Sequence, residues 1–225
     1  MNKEAGILFD YNGVIVDDEH LQEQAMGDIT KRHGVPLNHE LYVTYCLGRP
    51  DKEGFQNLQS AFPELTGISA DELMKEKVNR YHELIEHASL LFPGFQETLR
   101  QLHEHFALAV VTGSLRSEID RILAREKINA FFAAVISADD ISRGKPDPEG
   151  YLKGIAALNL PPERIVAVED TPRGVEAAHA AGIQCIAVAQ TVDKSDLTEA
   201  DLVLHNVTEV TPEVVWSMIK NSAPL

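Results

Sequence analysis

The 225-residue sequence is poor in the features that mark specialised chains. Its two cysteines, Cys46 and Cys185, are too few and too far apart for a disulfide framework, and they read as buried free thiols in a reducing compartment. Basic residues are scarce, 20 Lys and Arg against 35 Asp and Glu, for a net charge of −15. That balance excludes the basic footprint needed for nonspecific binding to nucleic acid or anionic membranes. No apolar stretch approaches the roughly 20 residues of a membrane span. The start, Met1-Asn2-Lys3-Glu4 and then Ile7-Leu8-Phe9 halted at Asp10, lacks the apolar region of a signal peptide. The expectation is a cytoplasmic protein, a monomer or weak dimer. Internal repeats and low-complexity tracts are absent too, while a hydrophobic fraction of 44% supports a folded core.

What is present is alternation. Short runs that are apolar at consecutive positions occupy residues 6–9, 107–111, 133–136, 165–168, 183–188 and 202–204. Such runs suit strands buried on both faces of a parallel sheet. Helix punctuation separates them: Ser114 before 115–126, Asp147-Pro148, Thr171-Pro172 before 173–181, and Gly182 closing that helix. The pattern predicts a doubly wound α/β domain with its site at the carboxyl ends of the strands. A final helix is expected over 212–220, carrying Trp216.

The alternation breaks after the first strand. Nearly a hundred residues precede the second, and within them helices are predicted over 21–32, 39–45, 52–61 and 70–88. This is an inserted helical cap: residues 1–17 and 92–225 form the α/β core domain, and 18–91 the cap. The Asp17-Asp18-Glu19 run is assigned to the hinge.

Four polar clusters lie at strand ends: Asp10-Tyr11-Asn12-Gly13, Thr112-Gly113-Ser114, Gly144-Lys145-Pro146-Asp147-Pro148 and Glu169-Asp170-Thr171. The second combines a hydroxyl with free backbone N–H groups before a helix, which suits a phosphate oxygen. The carboxylates of Asp10, Glu169 and Asp170 repel one another at one sheet edge, and a hard divalent cation with oxygen ligands relieves that repulsion. A divalent ion together with Lys145 balances their three charges.

In this order, with a helical insert after the first, the clusters resemble the haloacid dehalogenase-like hydrolase superfamily, in its small-helical-cap subgroup of β-phosphoglucomutases and sugar-phosphate phosphatases. The resemblance spans Ile7 to about Ile186 and implies a Rossmann-like core that hydrolyses a small phosphorylated metabolite with Mg²⁺. By the same resemblance Asp10 is the nucleophile that forms an aspartyl-phosphate, Lys145 orients nucleophile and phosphate, and Thr112, Gly113 and Ser114 bind the phosphate. The Mg²⁺ ligands it implies are Asp10, the main-chain carbonyl of Asn12, Glu169 and Asp170.

One position departs from the pattern. Phosphoryl-transferring members carry a second Asp, the general acid/base, two residues after the nucleophile; here it is Asn12. A carboxamide donates hydrogen bonds but cannot shuttle a proton. Asn12 is a natural residue, an engineered substitution that traps a complex, or an Asp precursor that deamidates beside Gly13. It counts against full β-phosphoglucomutase-like phosphotransfer and leaves open a catalytically reduced protein that binds metal and phosphate. Glu169-Asp170 argues against the metal-free dehalogenase branch, and Asn12 is not the small residue of the phosphonate-cleaving branch. In the cap, Arg49 of Gly48-Arg49-Pro50 and the lysines Lys75 and Lys77 are the candidate substrate contacts.

Overall fold

The structure is a computed structural model that describes residues 3–87 and 90–221. Strand β1 (Gly6–Phe9) leads into helices α1 (Glu19–Arg32), α2 (His39–Tyr45), α3 (Asp51–Ala61) and α4 (Ala70–Leu84). Then follow α5 (Phe95–His105), β2 (Ala107–Val111), α6 (Arg116–Arg125), β3 (Phe132–Ile136), α7 (Glu149–Leu158) and β4 (Ile165–Glu169). The chain closes with α8 (Pro172–Ala180), β5 (Gln184–Val188), β6 (Leu202–Leu204) and α9 (Pro212–Asn221). The chain divides into two compact units, Met1–Asp17 with Leu91–Leu225, and Asp18–Leu90.

In the larger unit six strands form one sheet in the order β3-β2-β1-β4-β5-β6, every neighbouring pair parallel. All four residues of β1 are buried because helices cover both sheet faces. Leu8 joins a cluster with Val111, Ala167 and Tyr151, while Phe9, pointing the other way, meets Phe95 and Phe132 edge-on at 6.0 and 6.4 Å. The strand order reverses at β1, whose two neighbours are β2 and β4. Open α/β sheets bind ligands at such a switch point, beyond the carboxyl ends of the strands.

The helix starts follow local chemistry. Thr171 caps α8 by accepting from the Gly174 N–H at 3.2 Å, with Pro172 in the first turn. The expected capping role of Ser114 is not observed. Helix α6 starts at Arg116 with Leu115 in the capping position and no side-chain cap. Its first N–H instead donates to Asp139 Oδ2 at 2.8 Å, which leaves the Ser114 hydroxyl for another partner. The Asp147-Pro148 start also falls one residue later, with Pro148 as cap and Asp147 Oδ1 accepting from the Glu149 N–H at 3.0 Å.

The smaller unit has its own apolar interior, including Met26, Ile29, Phe55, Leu58, Leu65 and Leu73. A reciprocal Ser69–Glu72 capping box opens α4. The helix predicted over 70–88 stops at Leu84 and tightens into a 3₁₀ turn, Ile85–His87; its expected last residue, Ala88, lies outside the described residues. Among the described residues no helix is long and apolar enough to cross a membrane.

Helix α8 approaches the end of β4 so closely that a Cβ on Gly174 would lie 2.0 Å from the Glu169 carboxyl carbon. That carboxylate cannot swing aside without leaving Lys145 and Tyr151, each bonded to it at 2.5 Å. Gly174→Ala is therefore expected to destabilise the protein by about 1–3 kcal/mol, read as a lowered denaturant midpoint. Gly67→Ala, where an added Cβ meets nothing within 4 Å, serves as the control and should change stability by less than about 0.5 kcal/mol.

Candidate active site

Asp10 follows β1, and its N–H donates to Val168 O at 2.9 Å, which extends the β1–β4 pairing by one step and sets its carboxylate beside the end of β4. A tight turn follows, closed by Ile15 and Val16 N–H bonds to Tyr11 O and by Gly13 N–H to Val16 O. Gly13 has φ +78° and packs against Asp170, whose Oδ2 a Cβ would strike at 1.9 Å. Only glycine satisfies both conditions.

Lys145 is the centre of the site. Its ammonium donates to Asp10 Oδ1 and Glu169 Oε1, both at 2.5 Å, and lies 3.4 Å from Val111 O at the end of β2. Thr112 is buried; its N–H donates to Ile136 O at 2.9 Å, and its Oγ1 accepts from the Ser114 N–H at 3.0 Å. The Ser114 hydroxyl donates to Asn12 Oδ1 at 2.5 Å. This bond and the commitment of the Gly13 N–H to Val16 O oppose deamidation, which needs that nitrogen to attack the Asn12 amide carbon.

Asp10, Glu169 and Asp170 each place a carboxylate oxygen within 4.8 Å of the others. Burial drives the Asp10 pKa up to about 7, opposed by Lys145 and reinforced by Glu169. Burial, with the charges of Asp10 and Glu169, also holds Asp170 well above the ordinary carboxylate range. Burial alone would depress Lys145, but the two carboxylates more than reverse it, and the ammonium stays charged. Asp170 Oδ2 accepts from Thr191 Oγ1 at 2.5 Å, whereas Oδ1 is buried with no hydrogen-bond partner among the described residues. A buried carboxylate oxygen without a donor, beside two further carboxylates, fits an oxygen-liganded divalent cation.

The larger unit thus gathers Asp10, Asn12, Thr112, Gly113, Ser114, Lys145, Glu169 and Asp170 at one sheet edge. Arg49 and Lys77 belong to the smaller unit. Arg49 is half-buried, with its guanidinium 3.5 Å from Glu53. Lys77 is not a surface cation: it is 1% exposed, paired with Asp51 at 2.7 Å and hydrogen-bonded to Gln22. Lys75 is exposed.

Several supporting residues escaped sequence reasoning. Thr191 holds Asp170, and Gln190 Nε2 donates to Gly13 O at 2.9 Å. Both follow the end of β5, so the strand-end rule that found the other clusters could have found them. Arg173 donates to the Lys145 carbonyl through Nε at 3.1 Å and Nη2 at 2.5 Å. Tyr151 bonds Glu169 from inside α7, where no strand-end signal exists.

Residues 7–188 match the family model described as haloacid dehalogenase-like hydrolase. The validoxylamine A 7'-phosphate phosphatase of Streptomyces hygroscopicus subsp. limoneus is 38% identical over 205 residues, covering 90% of this chain and 94% of that protein. The phosphorylated carbohydrates phosphatase of Thermotoga maritima is 31% identical over 219 residues, covering 95% and 97%. Among solved structures, the β-phosphoglucomutase of Clostridium difficile superposes with a TM-score of 0.86 at 20% identity, over 96% of this chain and 97% of that one, a likeness of fold. The match over residues 7–188, on a parallel sheet whose switch point carries Asp10 and Glu169-Asp170, means that this chain belongs to the haloacid dehalogenase-like hydrolase family.

Proposed function

We propose that this protein is a Mg²⁺-dependent phosphatase of a small phosphorylated carbohydrate or similar metabolite, working through an aspartyl-phosphate on Asp10. The observation that carries this reading is the Lys145 ammonium bridging Asp10 and Glu169, next to the unpartnered Asp170 Oδ1. The names of the two phosphatase relatives support the substrate class.

In this mechanism Lys145 holds one Asp10 oxygen and the other attacks phosphorus; the P–O bond to the leaving group breaks, and its electron pair departs with that oxygen. The Thr112 hydroxyl and the N–H groups of the 112–114 loop receive the phosphoryl oxygens. Asp10, Glu169, Asp170 and the Asn12 main-chain carbonyl would hold Mg²⁺, which when bound neutralises charge on the phosphoryl group. Water then cleaves the acyl phosphate, releasing phosphate and restoring the Asp10 carboxylate. The Asn12 carboxamide, with Oδ1 held by Ser114, offers a hydrogen bond but no proton to the leaving oxygen.

Asn12 also supports a second reading, a protein that keeps the fold and binds metal and phosphate with little turnover. A phosphatase panel with Mg²⁺ separates the two. The enzyme reading expects aryl and acyl phosphates to be cleaved far faster than alkyl phosphates, and Asp10→Asn to abolish turnover. Asn12→Asp should raise alkyl-ester hydrolysis by about 10²–10⁴-fold. Silence from the unaltered protein on every ester, with activity appearing only in Asn12→Asp, selects the binding protein. Equal rates for aryl and alkyl esters contradict the role given to Asn12.

The buried carboxylates generate a further expectation. Mg²⁺ at a hundred times its Kd should stabilise the fold by about 2.7 kcal/mol, seen as a raised Tm. Asp170→Asn removes an acid whose ionised form burial and its neighbours disfavour. It should raise the Tm in metal-free buffer while abolishing the response to Mg²⁺. A full Mg²⁺ response in that variant would remove Asp170 from the ligand set.

A further inference from the structure

Glu169 has no exposed surface, and its two oxygens have different partners. Oε1 accepts from Lys145 Nζ and from the Tyr151 hydroxyl, both at 2.5 Å. Oε2 accepts from the Asp170 N–H at 3.2 Å and from Thr171 Oγ1 at 3.4 Å, both longer than the contacts to Oε1. Tyr151, fully buried in α7, touches this pair twice, because the Lys145 ammonium also lies 5.4 Å from the centre of its ring. One side chain therefore grips the carboxylate through its hydroxyl and the ammonium through its π face.

A carboxylate between a lysine and a cation site can rotate, and which oxygen serves which charge decides whether the lysine stays on the nucleophile. Two donors on Oε1 remove that freedom. We propose that Tyr151 is a positioning residue that assigns Glu169 Oε1 to Lys145 and leaves Oε2 to the cation, so that the ammonium remains on Asp10. The inference rests on the reading of Asp10 as nucleophile and of Mg²⁺ as the cation.

The test is Tyr151→Phe, which keeps the ring and removes only the hydroxyl. Mg²⁺ binding is measured by calorimetry, and steady-state kinetics use an aryl phosphate. Loss of a partner that orients a ligand typically costs 10–100-fold in metal affinity or activity. The expected result is at least a tenfold weaker Mg²⁺ Kd and a kcat at least about tenfold lower, with KM within about twofold. In a Lys145→Met background, Tyr151→Phe should lower kcat by less than about twofold, since the ammonium it positions is gone. Melting curves report the folded fraction, and kcat is expressed per folded site.

Unchanged Mg²⁺ affinity and kcat in Tyr151→Phe overturn the proposal, as does a full independent loss in the Lys145→Met background. If Tyr151→Phe fails to fold, Glu169→Gln decides in its place: its amide keeps one oxygen, so intact Mg²⁺ binding there overturns the assignment of Oε2 and lost binding supports it. Asp10→Asn runs in parallel. Wild-type turnover in that variant defeats the reading of the reaction, while the Mg²⁺ titrations still judge Tyr151.

Discussion

The site depends on a single ammonium group placed among carboxylates that have left water. Burying a charge costs several kcal/mol unless it is paired, and Asp10, Glu169 and Asp170 are each less than a tenth exposed. Lys145 bonds two of the three, and among the described residues the third keeps one oxygen without a donor. The protein by itself therefore leaves the cluster short of positive charge, and that deficit is the physical case for a cation. The sheet makes the cluster unavoidable. With β1 beside β4, the residues that end the two strands must be neighbours, although about 160 positions of sequence separate them. The adjacency also explains why the helix after β4 begins Thr171-Pro172 and carries Gly174: its first turn must cap itself and still make room for the Glu169 side chain.

Much of this was legible in the sequence because the signals are local. Uninterrupted apolar runs such as Ala107–Val111 report burial on both faces, and the polar residue that ends each run reports the sheet edge. Thr171 reads as a cap because a β-hydroxyl before proline satisfies the next turn's N–H within three residues. Ser114 misled for a matching reason. Its position satisfies the same local rule, but Asp139, 25 residues on and brought close by the end of β3, supplies the acceptor instead. Tyr151 was invisible because its partner lies on another element, and a helix interior shows only that the position is buried. Lys77 shows the same limit: periodicity marks it as a residue of α4, yet cannot show that Asp51, at the start of α3, reaches its ammonium.

Asn12 changes the proton inventory of the site and leaves its architecture alone. The Ser114 hydroxyl donates to a side-chain oxygen at position 12, and an aspartate would present the same acceptor. What differs is the other end of the group, where an N–H₂ replaces an ionisable oxygen. Asp10 and the Glu169-Asp170 pair lie at the ends of β1 and β4, and Lys145 in the loop before α7, none of which needs a carboxylate at residue 12. Positioning and electrostatics provide most of the catalysis of phosphoryl transfer. Under the proposed function the loss falls on steps in which a proton must move, namely departure of a poor leaving group and activation of the water that clears Asp10.

The helical unit poses a separate question of charge, and energetics ranks its cations. Freeing Lys77 would strand Asp51 and a buried Gln22 contact, and separating a buried pair is costly. Arg49 is held differently. Its 3.5 Å approach to Glu53, with both side chains partly exposed, is of the kind worth less than about 1 kcal/mol. The two cations of the helical unit therefore differ: Arg49 is weakly held, whereas Lys77 ties α4 to the start of α3 through Asp51.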